Sequence, residues 1–256
     1  MRQAMKVRLA QSPDEIRMAQ KLRYHVFHEE RGARLQGADG LDADRFDAAS
    51  HHLLVIDPDA KGDYALQDGA LVGTYRLIDQ ASAAALGGFY SESEFELSAL
   101  LERKKDLRFL ELGRSCVLKK ARSMAVIDLL WQGIWDYVRQ NRIDVMLGCA
   151  SFEGTDPKAH AASLSFLAQN FSAEGEWHVA ARNERRQNMN LLASGSFDPK
   201  RAAVGLPPLV KGYLRLGCRF GEGCVVDEEF NSVDVLVVLP VSLINPRYFA
   251  RYGQPA

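Results

Sequence analysis

The chain has no excess of either charge: its 256 residues carry 32 Lys and Arg against 33 Asp and Glu. Without a global basic field, nucleic acid is not an expected partner, and binding surfaces have to be sought patch by patch. No run of about 18 apolar residues is present, so no membrane-spanning helix is expected, and "MRQAMKVRLAQSPDE" has no continuous apolar stretch of the kind that directs secretion. The four cysteines, Cys116, Cys149, Cys218 and Cys224, lack ligand spacing and are read as unpaired thiols of a cytoplasmic protein.

Several motifs are missing as well. There is no GxGxxG after a first strand, no Gly-rich loop ending in GKS or GKT, and no GxSxG elbow. These absences argue against a dinucleotide enzyme, a nucleotide hydrolase and a serine hydrolase. Asp39, Asp42, Asp44 and Asp47 do not fit the twelve-residue calcium loop. The pairs His25/His28 and His51/His52 have no third ligand, so no metal is expected. No repeat or low-complexity tail is visible. With 47% apolar residues the chain is read as one large domain, 1–256.

The elements that remain alternate between strand and helix. "MKVRLAQ" is a short strand, and "SPDE" supplies a Ser cap, a Pro in the first turn and two acids for a helix over 13–28. At about 100° per residue, Ile16, Ala19, Leu22, Val26 and Phe27 share one arc, and Arg23 falls inside it. Either its stem snorkels along the core edge or its charge sits in a pocket. "EERGARLQGADGLDADRFDAAS" follows neither period and is too long for an idle turn, so it is read as an ordered lid or substrate loop. "HHLLVID" and "ALVGTYRLID" are paired antiparallel strands, and 81–107 is helix and loop. A strand over 109–118, a helix over 123–140 with Ile127, Leu130, Trp131, Ile134 and Val138 inward, and the strand "IDVMLGCASF" make a crossover unit. A short helix over 158–169 is expected, 171–208 has no clear period, and "LVKGYLRLG" and "SVDVLVVLP" read as strands. The fold class is α/β with a mixed sheet.

The chemistry concentrates in "RFLELGRSCVLKKARS", where a buried-strand pattern contains Glu111 and Arg114. An unpaired charge in a core strand is expensive. Regular alternation puts Glu111, Gly113 and Ser115 on one face and Arg114 on the other, so the two charges either serve different partners or are re-aimed by a bulge. An ordinary pairing role on a partly exposed strand is the plainer alternative. Gly113 permits close approach of a ligand. Lys119, Lys120 and Arg122 stand just before the long helix, where cations and free N–H groups suit a phosphate, although a solvated charge run has the same appearance.

The ordered set "LRYHVFHEE", "GLDADRFDAASHHLLVID", "LVGTYRLI", "GGFYSESEF", "LELGRSCV", "LLWQGIWDYV" and "LGCASFEGTDP", continued by "PPLVKGYLRLG" and "DEEFNSVDV", resembles the bacterial ornithine acyl-carrier-protein N-acyltransferases of ornithine-lipid synthesis. More distantly it resembles acyl-homoserine-lactone synthases, whose fold is similar to the GCN5-related acetyltransferases (GNAT). That pattern falls on Arg23, Phe27, Asp44, Asp47, Arg76, Glu111 and Arg114, over a core of about 1–170 completed by 171–256. The chain lacks the Trp of the synthases after the first helix and has "ERGAR" there, which argues against S-adenosylmethionine as the amino substrate.

The resemblance implies transfer of a 3-hydroxy fatty acyl group from acyl carrier protein to the α-amine of L-ornithine, with no bound cofactor. In this reading Glu111 is the general base and backbone near Gly113 and Ser115 stabilises the oxyanion. Arg23, Arg76 and Arg114 hold Asp44 and Asp47 and shape the amino-acid pocket, and Lys119, Lys120 and Arg122 take the phosphopantetheine phosphate. Cys116 and Cys149 are assigned to packing. The aromatic and cationic "NPRYFARYG" leaves transient contact with the inner face of the membrane open. The competing readings are an acyl-homoserine-lactone synthase and a noncatalytic carrier- or lipid-binding protein.

Overall fold

The computed structural model describes residues 3–34 and 39–255, without the side chains at 250 and 251. Residues 35–38 of the expected lid loop lie outside the described residues. Among the described residues ten strands form one sheet: β1 (Lys6–Leu9), β2 (His51–Asp57), β3 (Ala65–Leu66), β4 (Gly69–Asp79), β5 (Phe109–Val117), β6 (Val145–Glu153), β7 (Arg186–Gln187), β8 (Arg219–Phe220), β9 (Cys224–Asp227) and β10 (Ser232–Pro240). The main path runs β1-β2-β4-β5-β6-β10-β9-β7, with β3 on β4 and β8 on β10. Among these described strands only β5 and β6 pair in parallel, as a crossover requires.

The helices are α1 (Pro13–Tyr24), α2 (Gln80–Leu86), α3 (Leu97–Arg103), α4 (Met124–Asn141), α5 (Ala161–Asn170), α6 (Pro199–Gly205), α7 (Pro208–Leu216) and α8 (Phe249–Tyr252). Ser12 caps α1 as its sequence suggests, and a π-type turn carries the coil on through His25–Glu30. One face of the sheet packs against α4, α5 and α7 through Leu53, Leu77, Leu112, Leu130, Ile134, Leu167 and Val210. Burying each such side chain contributes about 1.5–3 kcal/mol. Gly133 lets α4 approach closely, since a Cβ there would lie 2.7 Å from Val7. On the other face, α1 covers Leu54, Ile56 and Leu71, while α2 and α3 cover Ile78, Phe109 and Leu147.

One expected strand is a helix. "LVKGYLRLG" forms α7, begun by Pro208 and closed by Gly217 at φ +102, with Val210, Tyr213 and Leu216 turned inward. Those buried positions are three apart, a helical spacing that the β-branched and aromatic content of so short a run obscures. β10 runs antiparallel to β6 along its whole length, so the C-terminal part extends the sheet.

Candidate active site

Two local irregularities create the site. The β5/β6 ladder holds for three pairs, Phe109 with Val145, Leu110 with Met146 and Glu111 with Leu147. Beyond it β5 stays on β4 and β6 stays on β10, so the two parallel strands diverge and their inner edges leave the ladder. Gly148 sits at the fork with φ +152; a Cβ there would stand 2.2 Å from the Leu112 carbonyl oxygen, so only glycine fits. A Cβ at Gly113 would meet nothing within 4 Å, which marks open space on the β5 side.

The second irregularity is a bulge. Thr74 pairs with Cys116 and Arg76 with Gly113, so Arg114 and Ser115 together oppose Tyr75. Arg114 takes φ +51, a conformation that costs on the order of 1–3 kcal/mol outside glycine and persists where surroundings over-determine it. The alternation is thereby reset. Arg114 joins Glu111 on the face of α1 and the lid, and Ser115 moves to the face of α4, away from Glu111. The expectation that Ser115 shares a face with Glu111 is thus corrected, and the bulge, of the two alternatives for the charges, is what the strand adopts.

On the lid face three arginines meet three aspartates. Arg23, 1% exposed, pairs through Nε with Asp42 at 2.9 Å and through Nη2 with Asp47 at 2.7 Å. Arg76 Nη1 reaches Asp44 at 2.6 Å and Asp47 at 3.1 Å, and Arg114 reaches Asp42 and Asp44, each at 3.2 Å. Gln20 and the Asp44 N–H also donate to Asp47. Burial alone would raise the Asp47 carboxyl, but Arg23, Arg76 and Gln20 outweigh it and hold it well below the ordinary range. The Asp42–Asp47 part of the loop is therefore tied to α1, β4 and β5, and the charge of Arg23 sits in a pocket. Phe27 packs edge-on to Phe230, and the Arg114 guanidinium lies 4.3 Å from the Phe230 ring and 4.7 Å from the Tyr90 ring.

Glu111 is 2% exposed and accepts from the Tyr90 N–H at 2.7 Å, the Ser91 N–H at 2.8 Å and the Ser91 hydroxyl. Burial raises its carboxyl above the ordinary range although Ser91 and Tyr90 pull the other way. Ser91 Oγ also lies 3.3 Å from Cys149 Sγ, and that thiol is 3.3 Å from Glu94. Ligand atoms of Glu94, Cys149 and Asp234 fall within 4.8 Å of one another. Burial pushes both the Glu94 and Asp234 carboxyls up, helped at Glu94 by the charge of Asp234 and at Asp234 by that of Asp227, and burial pushes the Cys149 thiol well up, so it is a thiol and no ready nucleophile. Of these acids Asp234 carries a sequence signal like that of Glu111, a carboxylate inside the apolar run "SVDVLVVLP". Glu94, in "YSESEF", carries none. Asp42 is the third lid acid that the family pattern omits.

The cations follow at the mouth of the fork. Lys119 and Lys120 are exposed in a single 3₁₀ turn, while Arg122 pairs with Glu30 and donates to the Val117 carbonyl at 3.1 Å. Ser123 caps α4 immediately after, and Met124 beside it is 63% exposed. Among the described residues no helix is long and apolar enough to cross a membrane.

Residues 22–132 match the acetyltransferase (GNAT) domain family. A protein named L-ornithine N(alpha)-acyltransferase from Agrobacterium fabrum is 48% identical over 256 residues, spanning 98% of this chain and 86% of the relative. A Rhizobium meliloti protein of the same name is 47% identical over 255 residues, spanning 98% and 85%. The solved structure of the AHL synthase LasI superposes with a TM-score of 0.54 at 16% identity over 99% of this chain and 97% of that one, a likeness of fold.

Proposed function

Because the chain belongs to the L-ornithine N(alpha)-acyltransferase family, we propose that it moves a 3-hydroxy fatty acyl group from acyl carrier protein to the α-amino group of L-ornithine, giving lyso-ornithine lipid. The observation that carries this reading is the fork. Its diverging strands leave backbone donors for a thioester, buried acids lie on one face, and an apolar layer lies on the other. An α-ammonium has to lose a proton before it attacks, and Glu111 takes that proton through the Ser91 hydroxyl. The amine nitrogen bonds to the thioester carbon, the oxyanion is met by N–H groups near Gly113 and Ser115, and collapse breaks the C–S bond. The attacking nitrogen gives up its surplus proton to the departing sulfur, the carrier leaves as its thiol, and no acyl-enzyme forms.

Arg23, Arg76 and Arg114 hold Asp44 and Asp47 so that the lid and Phe27 wall the amino-acid pocket. Lys119, Lys120 and Arg122 receive the phosphopantetheine phosphate and the acidic face of the carrier, with Met124 as an apolar contact. Incubation of 3-hydroxyacyl carrier protein with ornithine, and separately with S-adenosylmethionine, followed by product mass, tests the whole reading. An N-acylornithine is expected; an acyl-homoserine lactone, or carrier binding without product, would overturn it.

The carrier surface gives a separate expectation. Lys120→Glu should raise the KM for acyl carrier protein about tenfold and flatten its salt dependence, while the KM for ornithine stays within about twofold. An unchanged KM and salt slope would return "KKARS" to the solvated surface.

A further inference from the structure

The bulge that brings Arg114 to the lid face sends Ser115 through to the other side of the sheet, and what it meets there is unusual for that layer. Tyr75, the β4 residue opposite the bulge, faces the Ser115 side chain closely enough to feel its hydroxyl. The Tyr75 hydroxyl lies 2.5 Å from the hydroxyl of Tyr213 on α7. Both tyrosines are buried, 3% and 4% exposed, among Leu112, Leu130, Ile134 and Val210. Trp131 crosses the Tyr213 ring edge-on at 5.6 Å, and Trp131 in turn lines a narrow, wholly apolar pocket with Trp135, Met146, Leu216 and Phe249. A line of three hydroxyls thus leads from the fork into the apolar layer, toward an apolar pocket.

The two phenols carry two protons and share one hydrogen bond, with the Ser115 hydroxyl beside Tyr75. One O–H and several lone pairs are left for a further oxygen. Burial raises both phenols, so the line is neutral at any working pH and suits a neutral partner, neither a carboxylate nor an ammonium. A plain acyl chain entering from the fork needs only apolar neighbours, and for it phenylalanine at 75 and 213 would pack as well. Two hydroxyls kept in an apolar layer, beside the strand segment where the thioester lies, match an acyl chain that bears oxygen a few bonds from its carbonyl.

We infer that the Ser115–Tyr75–Tyr213 line is a specificity-determining element that hydrogen-bonds a hydroxyl on the acyl chain close to the thioester. The inference rests on the proposed function in one respect, that the acyl group enters this face through the fork. Tyr75 and Tyr213 select the donor and take no part in the bond changes.

The test compares 3-hydroxyacyl and unsubstituted acyl carrier protein of equal chain length, with ornithine as acceptor, in the wild type, Tyr75→Phe and Tyr213→Phe, with thermal unfolding measured beside each. The wild type should favour the hydroxylated donor in kcat/KM by about tenfold, the worth of one well-placed hydrogen bond. Each Phe variant should erase most of that preference while its kcat/KM for the plain donor stays within about threefold of wild type. A wild type that makes acylornithine without preferring the hydroxylated donor would overturn this inference alone. So would folded variants that keep the preference or lose both donors equally. A wild type that makes no acylornithine from either donor would remove the proposed function and this element with it.

Discussion

Glu111→Gln should lower turnover about 10²-fold or more, with the loss largest near neutral pH. The carboxylate does two things that its position in the fold makes inseparable by deletion. It gathers the Tyr90 N–H, the Ser91 N–H and the Ser91 hydroxyl, fixing the 3₁₀ turn Tyr90–Ser93 against β5, and in the proposed reaction it is the proton acceptor behind Ser91. A glutamine can accept through one oxygen only, so its NH₂ would face at least one of those donors. Burial raises the Glu111 carboxyl, so the wild-type rate should climb with pH through a value above the ordinary glutamate range. That limb should vanish in Glu111→Gln. Ser91→Ala separates the roles, because it keeps both backbone donors and removes only the relay hydroxyl. Near-normal turnover by folded Glu111→Gln would dismiss it as the base. If the limb instead disappears in Glu94→Gln and survives in Glu111→Gln, the proton goes to Glu94, whose carboxyl burial and Asp234 also push up.

Much of this site is written in local patterns. A carboxylate and an arginine three apart in an apolar strand, a cationic turn before a capped helix and an Asp-rich loop between strands each have a local physical meaning, and the structure brings the first and third together. The bulge is different. Alternation along "LELGRSC" allows two assignments of the faces, and the choice depends on β4 placing Tyr75 opposite Arg114 and Ser115, a long-range fact. The Glu94–Cys149–Asp234 group is long-range in the same sense, since a loop, β6 and β10 meet only after the C-terminal strand has closed the sheet. In α7 the failure is local. Nine residues with Leu, Val and Tyr satisfy strand and helix alike, and what settles it is the demand that Val210 and Tyr213 cover the α4 side.

Arg23→Met should cost about 3–5 kcal/mol of stability as well as most of the activity, because it strands buried charge. The methionine keeps the apolar contacts of the stem, but Asp42 and Asp47, 4% and 3% exposed, lose the guanidinium that joins them. Arg76 and Arg114 still face those acids, so the lid should loosen at its α1 edge while it remains tied to β4 and β5. Removing the stranded acid should then do less harm than removing it from the intact cluster. Asp47→Asn in the Arg23→Met background is expected to cost at least about 1 kcal/mol less than in the wild type, in stability and in catalytic efficiency alike. The pH dependence has a definite sign. The folded Asp47 carboxyl sits well below its unfolded value of about 3.9, so its contribution is complete above that value and is lost as pH falls from there toward the folded one. Acid unfolding of the wild type below about pH 4 should therefore be steeper than that of Asp47→Asn. Fully additive losses in the double variant would show that Arg23 and Asp47 act on separate parts of the site, and equal acid slopes would show that Asp47 gains nothing from the arginines around it.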